Sequence, residues 1–309
     1  MILRLMNPAD HDEVARVVYE SLNAWYMKYR GFKLVTGPWE TMRIFPRVYE
    51  ALDPNCCITA VDEETGRIAG ACFFHPRPTH YALGIMAVHP DFFGRKAASL
   101  MLRYIIEEAE RENKPIRLVS SSMNLESFST YNRQGFVPRI FYQDMIFTVP
   151  QAGLDVPMPP GATIRAATEA DVAAMTAMEM ELSGIHREKD FRFFIENKDG
   201  IWSLNVLVLP GGKIAGFMAS VDDPGSAMLG PGLAENEEQI TALVLHELNR
   251  FRGRNPVVLV PAVCQNLTKL LYSYGATNCE LHFSQIRAAG QDMPEQKGIA
   301  VPTFMPETG

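Results

Sequence analysis

Two stretches of the sequence contain residues whose types and spacing could do chemistry. The first, from Tyr81 to Tyr104, is an apolar run that breaks at Pro90, continues through Gly94 and then becomes amphipathic. The run predicts a buried strand, and the later spacing of apolar residues predicts a helix. The first turn of such a helix has unpaired N–H groups and a partial positive charge, which favour a bound phosphate.

The residues of this turn suit a diphosphate. Gly94, Ala97 and Ala98 are small enough to let a phosphate approach the backbone, and Arg95 and Lys96 add positive charge beside it. The alternative is an ordinary strand–helix turn in which small residues serve packing, because short Gly-containing loops often match by chance. A nucleotide-binding P-loop is excluded, since the full spacing of that motif is missing.

The second stretch follows another strand-like run, Ile116 to Ser120, and reads SSMNLESFSTYNRQGF. It places Asn124, Tyr131, Gly135 and Phe136 at fixed offsets. Together the two stretches resemble the GNAT superfamily of acyl-CoA-dependent N-acetyltransferases. In that family a segment like V-x-P-x-x-R-x-x-G-x-G/A opens a helix, and N-x-x-x-x-x-x-Y-x-x-x-G-F follows the next strand.

The resemblance is complete in the second stretch and partial in the first. Val88, Pro90 and Ala98 fit, but Phe93 stands where Arg or Gln is usual and Lys96 where Gly is usual. The resemblance implies an α/β fold of the α+β mixed-sheet kind. Its sheet is mostly antiparallel, with a splayed central pair of parallel strands flanked by helices.

The resemblance also implies a co-substrate, acetyl-CoA or another acyl-CoA. Its pantetheine arm would bond to the strand at Met86, Ala87 and Val88, and Asn124 would contact the arm. The diphosphate would lie on the backbone amides from Gly94 to Ala98.

For catalysis, the family implies direct attack of a neutral amine on the thioester, with the protein supplying position and oxyanion stabilisation. Tyr131 stands at the family's position for the general acid that protonates the leaving thiolate. The alternative for Tyr131 is a helix aromatic that packs onto the core. No base for the amine is identifiable, and His80 and Glu126 are the remaining candidates.

A segment rich in aromatic residues, Trp25 to Phe45, follows a helix that the sequence predicts near the start of the chain, after Asn7 and Pro8. It predicts either rings that pack around a long loop or, as in the resembled family, a wall of the acceptor site. Aromatic faces can hold an organic amine by cation–π contact. The candidates for binding a small-molecule or peptide amine are Trp25, Tyr26, Tyr29 and Trp39.

The chain is predicted to be a tandem repeat. We assign residues 1–149 to a GNAT-like coenzyme-binding domain, 150–162 to a linker, 163–288 to a second GNAT-like domain and 289–309 to a loosely packed tail. After the linker, TIRAATEAD echoes the opening of the chain, and VLVPAVCQNLTKLLYSYGA echoes the second stretch in the same order.

The second domain has lost the chemical residues of the first. Cys264 falls at the position of Asn124, and Leu271 falls at that of Tyr131. Three acidic residues replace the phosphate loop: Glu235, Glu237 and Glu238. Because these charges would repel a diphosphate, a structural or acceptor-shaping role is predicted for this half.

Composition limits the remaining classes. The net charge of −7 in 309 residues argues against a protein that coats nucleic acid, and no apolar run is long enough to predict a membrane span. Five cysteines without a C-x-x-C pair indicate reduced thiols, a cytoplasmic protein and no structural zinc or other metal site. Exposed strand edges in the two halves could pair within the chain or between chains, so a homodimer is an open expectation.

Two functions remain. One is an N-acetyltransferase with an active first domain, which the intact Asn124 and Tyr131 favour. The other is a catalytically silent protein of the same fold that binds CoA or another ligand as a sensor or scaffold. Phe93 and Lys96 favour the second function.

Overall fold

A computed structural model describes residues 1–288 and 295–305. The strands are β1 (Ile2–Leu5), β2 (Cys57–Val61), β3 (Ile68–Pro76), β4 (Tyr81–Val88), β5 (Ile116–Ser121), β6 (Val137–Ile146), β7 (Thr163–Ala166), β8 (Trp202–Val208), β9 (Ile214–Asp223), β10 (Ser226–Ala234), β11 (Val257–Pro261), β12 (Thr277–Arg287) and β13 (Ile299–Val301). The helices are α1 (His11–Arg30), α2 (Ile44–Leu52), α3 (Ala97–Arg111), α4 (Leu125–Arg133), α5 (Val172–Ser183), α6 (Glu188–Glu196), α7 (Glu237–Leu248) and α8 (Gln265–Ser273). In these ranges, none of the helices combines the length and the apolar character needed to cross a bilayer.

The first half of the chain builds β1 to β5, with a pair of helices on each face. Neighbouring residues of β3 show the two faces: Phe73 belongs to the apolar cluster under α1 and α2, and Phe74 belongs to the cluster under α3 and α4. This alternation follows from the two-residue period of a strand. The second half repeats the arrangement, with α5 and α6 on one face of β7 to β11 and α7 and α8 on the other.

The predicted repeat is visible at atomic level where each half begins. Arg4 donates two hydrogen bonds to Asp10, at 2.5 and 2.9 Å, and Arg165 donates two to Asp171, both at 2.7 Å. In each half the aspartate also accepts a backbone N–H three residues earlier, at 2.8 Å, which completes a capping box. The same ion pair therefore anchors the first helix of each half.

The halves exchange their last strands. β6 of the first half lies between β11 and β12, and β12 of the second half lies between β5 and β6. All thirteen strands consequently belong to one sheet. β6 is one continuous strand that begins directly after Phe136. The domain limits read from the sequence remain predictions. Because of the strand exchange, strands from both halves are interleaved at the centre of the sheet, so those limits do not separate it into two sheets.

The end of the chain adds a strand to this sheet. β13 pairs antiparallel with β10, and Met305 is fully buried. Residues 295–305 are therefore not the loosely packed tail that the sequence predicted, while the rest of that segment, 289–294 and 306–309, lies outside the described residues.

The splay between the central parallel strands is present in both halves. β4 and β5 pair only at Tyr81 with Ile116 and at Ala82 with Arg117, and then diverge. β10 and β11 pair at a single position. The predicted mixed sheet with a splayed parallel pair, flanked by helices, is confirmed.

Candidate active site

The candidate site begins at the free edge of β4. On one side β4 pairs with β3 along its whole length, but on the other it pairs with β5 only at its first two residues. From Leu83 to Met86, β4 advances by three residues while its partner β3 advances by two. β4 therefore has a β-bulge at Gly84. Glycine is required there, since a Cβ would lie 2.5 Å from Cε1 of Tyr49. Within the described residues, the backbone of Met86 to Val88 is therefore an unpaired strand edge on the side of β5, with which an extended chain of amide groups could pair as an added strand.

The predicted phosphate loop connects this edge to α3. Gly94 and Lys96 both have left-handed backbone conformations, with φ of 78° and 66°, and α3 begins at Ala97. Within the described chain no acceptor bonds the N–H groups of Lys96, Ala97 and Ala98. The loop thus presents a helix N-terminus and exposed basic side chains to the mouth of the splay.

Asn124 and Tyr131 lie on the far side of the splay, at the start and in the last turn of α4. The side-chain oxygen of Asn124 accepts the N–H of Ser127 at 3.0 Å, so it caps the helix. Only its amide nitrogen is left to contact a coenzyme.

Tyr131 packs in the same apolar cluster as Met86, with 6% of its surface exposed. Burial raises the pKa of Tyr131 well above its ordinary value. No described residue is recorded as a hydrogen-bond partner of its hydroxyl. A tyrosine in this state keeps its proton over the whole neutral range.

Three of the four acceptor candidates come together at the end of α1. Trp25 contacts Tyr26 and Tyr29, with ring centroids 5.0 and 5.2 Å apart, and the Tyr29 hydroxyl donates to Glu126 at 3.0 Å. Because Glu126 follows β5 directly in α4, these rings lie at the open end of the splay. Trp39 is not among them.

Trp39 instead packs between two arginines. The guanidinium carbons of Arg16 and Arg43 lie 3.7 and 4.8 Å from its ring centroid. His80, a candidate base, precedes Tyr81, where β4 and β5 are still paired. It therefore lies at the closed end of the splay, away from the rings.

The corresponding opening of the second half is filled by the chain itself. Its β10 has the same bulge after Leu229, so Gly232, Leu233 and Ala234 stand where the first half has Met86, Ala87 and Val88. These three residues pair with Val301, Ala300 and Ile299 of β13.

Helix starts in the second half are also satisfied internally. Asn236 caps α7, and Glu237 accepts the N–H groups of Asn266 and Leu267 at 2.6 and 3.0 Å. Two features thus distinguish this half from the first: β13 pairs with the edge of β10, and the carboxylate of Glu237 accepts the N–H groups at the start of α8.

A buried charged cluster joins the two halves, and the sequence analysis did not predict it. Arg77 donates to Asp53 at 3.0 Å and to both oxygens of Asp190 at 2.7 Å, and His75 contacts Asp53 at 2.5 Å. Burial alone would raise the pKa of Asp53, but His75 and Arg77 outweigh it and hold that pKa well below the usual range. The cluster fixes α6 of the second half against the first half.

The fold is that of the GNAT class in tandem form. Residues 19–136 match the sequence model of the Acetyltransferase (GNAT) family. The first half thus carries both the signature and the fold of that family, and the whole chain has the fold of tandem GNAT proteins. No curated protein matches the sequence significantly.

Three solved structures illustrate the similarity of fold. A protein from Pyrococcus horikoshii superimposes with a TM-score of 0.74 at 13% identity, over 100% of this chain and 95% of its own. A GCN5-related N-acetyltransferase from Sphaerobacter thermophilus has a TM-score of 0.65 at 16% identity, over 96% and 98%. A tandem GNAT protein from the clavulanic acid biosynthesis pathway has a TM-score of 0.60 at 13% identity, over 94% and 99%.

Proposed function

We propose that the first half transfers an acetyl group from acetyl-CoA to a primary amine of a small molecule or peptide. One observation carries the proposal: the free edge of β4 leads directly to the unpaired N-terminus of α3. A pantetheine arm on this edge would place its diphosphate on the loop from Gly94 to Ala98. The second half, whose groove holds β13, supports and completes the first.

The coenzyme arm would extend β4 by one strand. Backbone groups of Met86 to Val88 would bond its amides, and the amide nitrogen of Asn124 would contact it from the opposite side. Arg95 and Lys96 are exposed and would neutralise the diphosphate charge. Backbone N–H groups of β4 at the bulge would stabilise the oxyanion of the thioester.

Besides holding the amine and the thioester in position, the protein would need to move two protons, one to the departing thiolate and one back to Tyr131. The amine nitrogen attacks the thioester carbon, the C–N bond forms, and the C–S bond breaks. Tyr131 would protonate the departing thiolate and regain a proton from the solvent or from the new amide nitrogen. The cluster of Trp25, Tyr26 and Tyr29 would hold the organic part of the acceptor.

Calorimetric titration with acetyl-CoA tests the coenzyme site. Lys96→Glu should weaken binding at least about tenfold, because it reverses a charge beside the diphosphate. Lys269→Glu makes the same charge change on an exposed helix position of the second half and should leave binding unaltered. No binding to the unmodified protein, or equal effects of the two variants, would contradict the placement.

Release of CoA thiol in the presence of a panel of amines tests the transfer itself. Amine-dependent release that requires Tyr131 supports the transferase. Tight binding of acetyl-CoA without release for any amine would instead favour a silent protein that uses the same groove as a sensor.

A further inference from the structure

His80 lies away from the acceptor rings and Glu126 accepts a hydrogen bond from Tyr29, and the strand exchange supplies a further candidate for the base of the acceptor amine. We propose that Glu280, which β12 carries into the first half, receives the ammonium group of the acceptor and takes its proton. This inference rests on the proposed N-acetyltransferase function and names a residue that the sequence analysis did not consider.

The position of Glu280 follows from the register of the sheet. β12 runs antiparallel to β5, from Arg287 opposite Ile116 to His282 opposite Ser121. Glu280 lies two residues beyond His282, at the carboxyl end of β5, where the splay is open. Because residues two apart share a face of a strand, Glu280 projects on the same side as His282.

That side is the face on which α1 and α2 pack. His282 contacts the ring of Phe304, with centroids 4.9 Å apart, and Phe304 packs against the apolar cluster under α1 and α2. Phe283, the residue between them, contacts Phe128 of α4 on the opposite face. Glu280 therefore projects from the face of the sheet that packs against α1, the helix that carries the acceptor rings.

A chain of contacts connects Glu280 to the end of α1. The Ser121 hydroxyl donates a hydrogen bond to Glu280 and accepts the N–H of Met123 at 3.1 Å. Arg30, the last residue of α1, lies 3.2 Å from the sulfur of Met123. These contacts bring the end of α1, which carries Tyr29, to the part of the sheet that carries Glu280.

Glu280 is a buried acid in a mixed electrostatic environment. It is 7% exposed, and burial raises its pKa above that of an ordinary glutamate, although the charge of nearby His282 opposes this shift. The charged groups beside Glu280 are Asp144, which lies opposite it on β6, and His282, whose Nδ1 contacts Asp144 at 2.9 Å; the charge of Arg30 on α1 acts on the neighbouring Cys279. Among the described residues, Ser121 is the recorded hydrogen-bond donor to Glu280, so the second carboxylate oxygen can accept from an ammonium group.

The proton balance of the step is simple. The acceptor arrives as an ammonium ion, and one proton passes to the carboxylate of Glu280 and on to water. The neutral amine then forms the C–N bond as the C–S bond breaks, and its second proton ends on the CoA sulfur through Tyr131. One acetyl group is transferred, and one proton is released per turnover.

The test compares Glu280→Gln with a matched buried glutamate. Glu247 in the second half is also buried and also accepts from a serine, Ser220, at 2.6 Å. Glu280→Gln should lower kcat/KM for the amine at least about 100-fold while the Kd for acetyl-CoA changes less than about twofold. Glu247→Gln should leave kcat/KM for the amine unchanged.

The pH profile separates a proton acceptor from a structural residue. In the unmodified protein the acid limb of kcat/KM should lie above the pKa of an ordinary glutamate, and Glu280→Gln should remove it. Glu280→Asp, which keeps the acid on a shorter side chain, should restore part of the rate and the limb. This variant serves as the check if the glutamine variant does not fold.

The failures of the two proposals differ. If acetyl-CoA does not bind the unmodified protein, the proposed function fails. If acetyl-CoA binds and amines are acetylated, but Glu280→Gln retains the rate and the acid limb, the assignment of Glu280 is wrong and the transferase stands.

Discussion

Val301 lies directly opposite Gly232, in an antiparallel pairing of the last strand of the chain with β10. Gly232 holds, in the second half, the position that Met86 holds in the first. The edge at which we propose that the first half binds a coenzyme is therefore occupied in the second half by strand pairing within the chain. The two halves share a fold but differ in what their grooves can accept.

A coenzyme stoichiometry of one per chain follows from this relationship. Acetyl-CoA titrated into the full chain should bind with a calorimetric stoichiometry of about one, because displacing β13 would expose buried residues and break a strand pairing. The Lys96→Glu variant, in which the first site is weakened, should show no second site of comparable affinity. Two equivalent sites per chain would contradict the closed groove.

The end of the chain should contribute measurably to stability. Met305 is fully buried, so Met305→Ala should lower the free energy of unfolding by about 2 kcal/mol or more through lost burial and a cavity. Met180→Ala, at a methionine that is 40% exposed, is the matched control and should cost much less. Urea denaturation measures both, and equal losses would show that residues 302–305 do not pack as described.

Lys96 adopts a backbone conformation that suits glycine. Its φ of 66° is in the left-handed region, where a side chain is strained. Lys96→Gly and Lys96→Ala remove the same charge, but only glycine removes the strain, so the glycine variant should be the more stable by up to about 1 kcal/mol. Thermal unfolding compares the two variants. A more stable alanine variant would mean that the loop relaxes when the lysine is lost.

Tyr131→Phe should separate the hydroxyl from the ring. The ring packs in the apolar cluster, so stability and the Kd for acetyl-CoA should change little, while kcat should fall about 100-fold if the hydroxyl protonates the thiolate. Because burial raises the pKa of Tyr131, its ionisation should not produce an alkaline limb below about pH 10. Tyr104→Phe, in a tyrosine packed against the same cluster, should retain kcat.

The paired aspartates should make stability depend on acid pH. Hydrogen bonding from Arg165 holds the pKa of Asp171 well below that of an ordinary aspartate. A depressed folded pKa stabilises the protein above the unfolded value, and this contribution is lost as the pH falls below about 4 toward the folded pKa. Asp171→Asn should cost about 1 kcal/mol at pH 7, and the difference should shrink on acidification.

Asp12→Asn is the control for this pH dependence. Asp12 also accepts two bonds from an arginine, Arg43, but its side chain is 57% exposed. Solvent screens such a pair, so its loss should be smaller and nearly independent of pH. Denaturant unfolding between pH 3 and 7 gives both curves.

Local chemistry explains which parts of the site could be predicted. One continuous stretch of the sequence contains the strand, the phosphate loop, Asn124 and Tyr131. The motif that identifies them consists of residue types at fixed sequence separations. The repeat was visible because Arg165 and Asp171 keep the separation of Arg4 and Asp10. Trp39 was grouped with the acceptor rings by composition alone, but its contacts with Arg16 place it elsewhere.

The sequence by itself determined the GNAT character of the first half, the tandem repeat and the loss of chemical residues in the second half, because each is written in short motifs. Only the tertiary structure decided that β6 and β12 change places, that β13 closes the second groove and that Glu280 meets Ser121 across 159 positions of the chain. Strand partners so distant in sequence are chosen by packing and register across the whole sheet, and no local pattern records that choice.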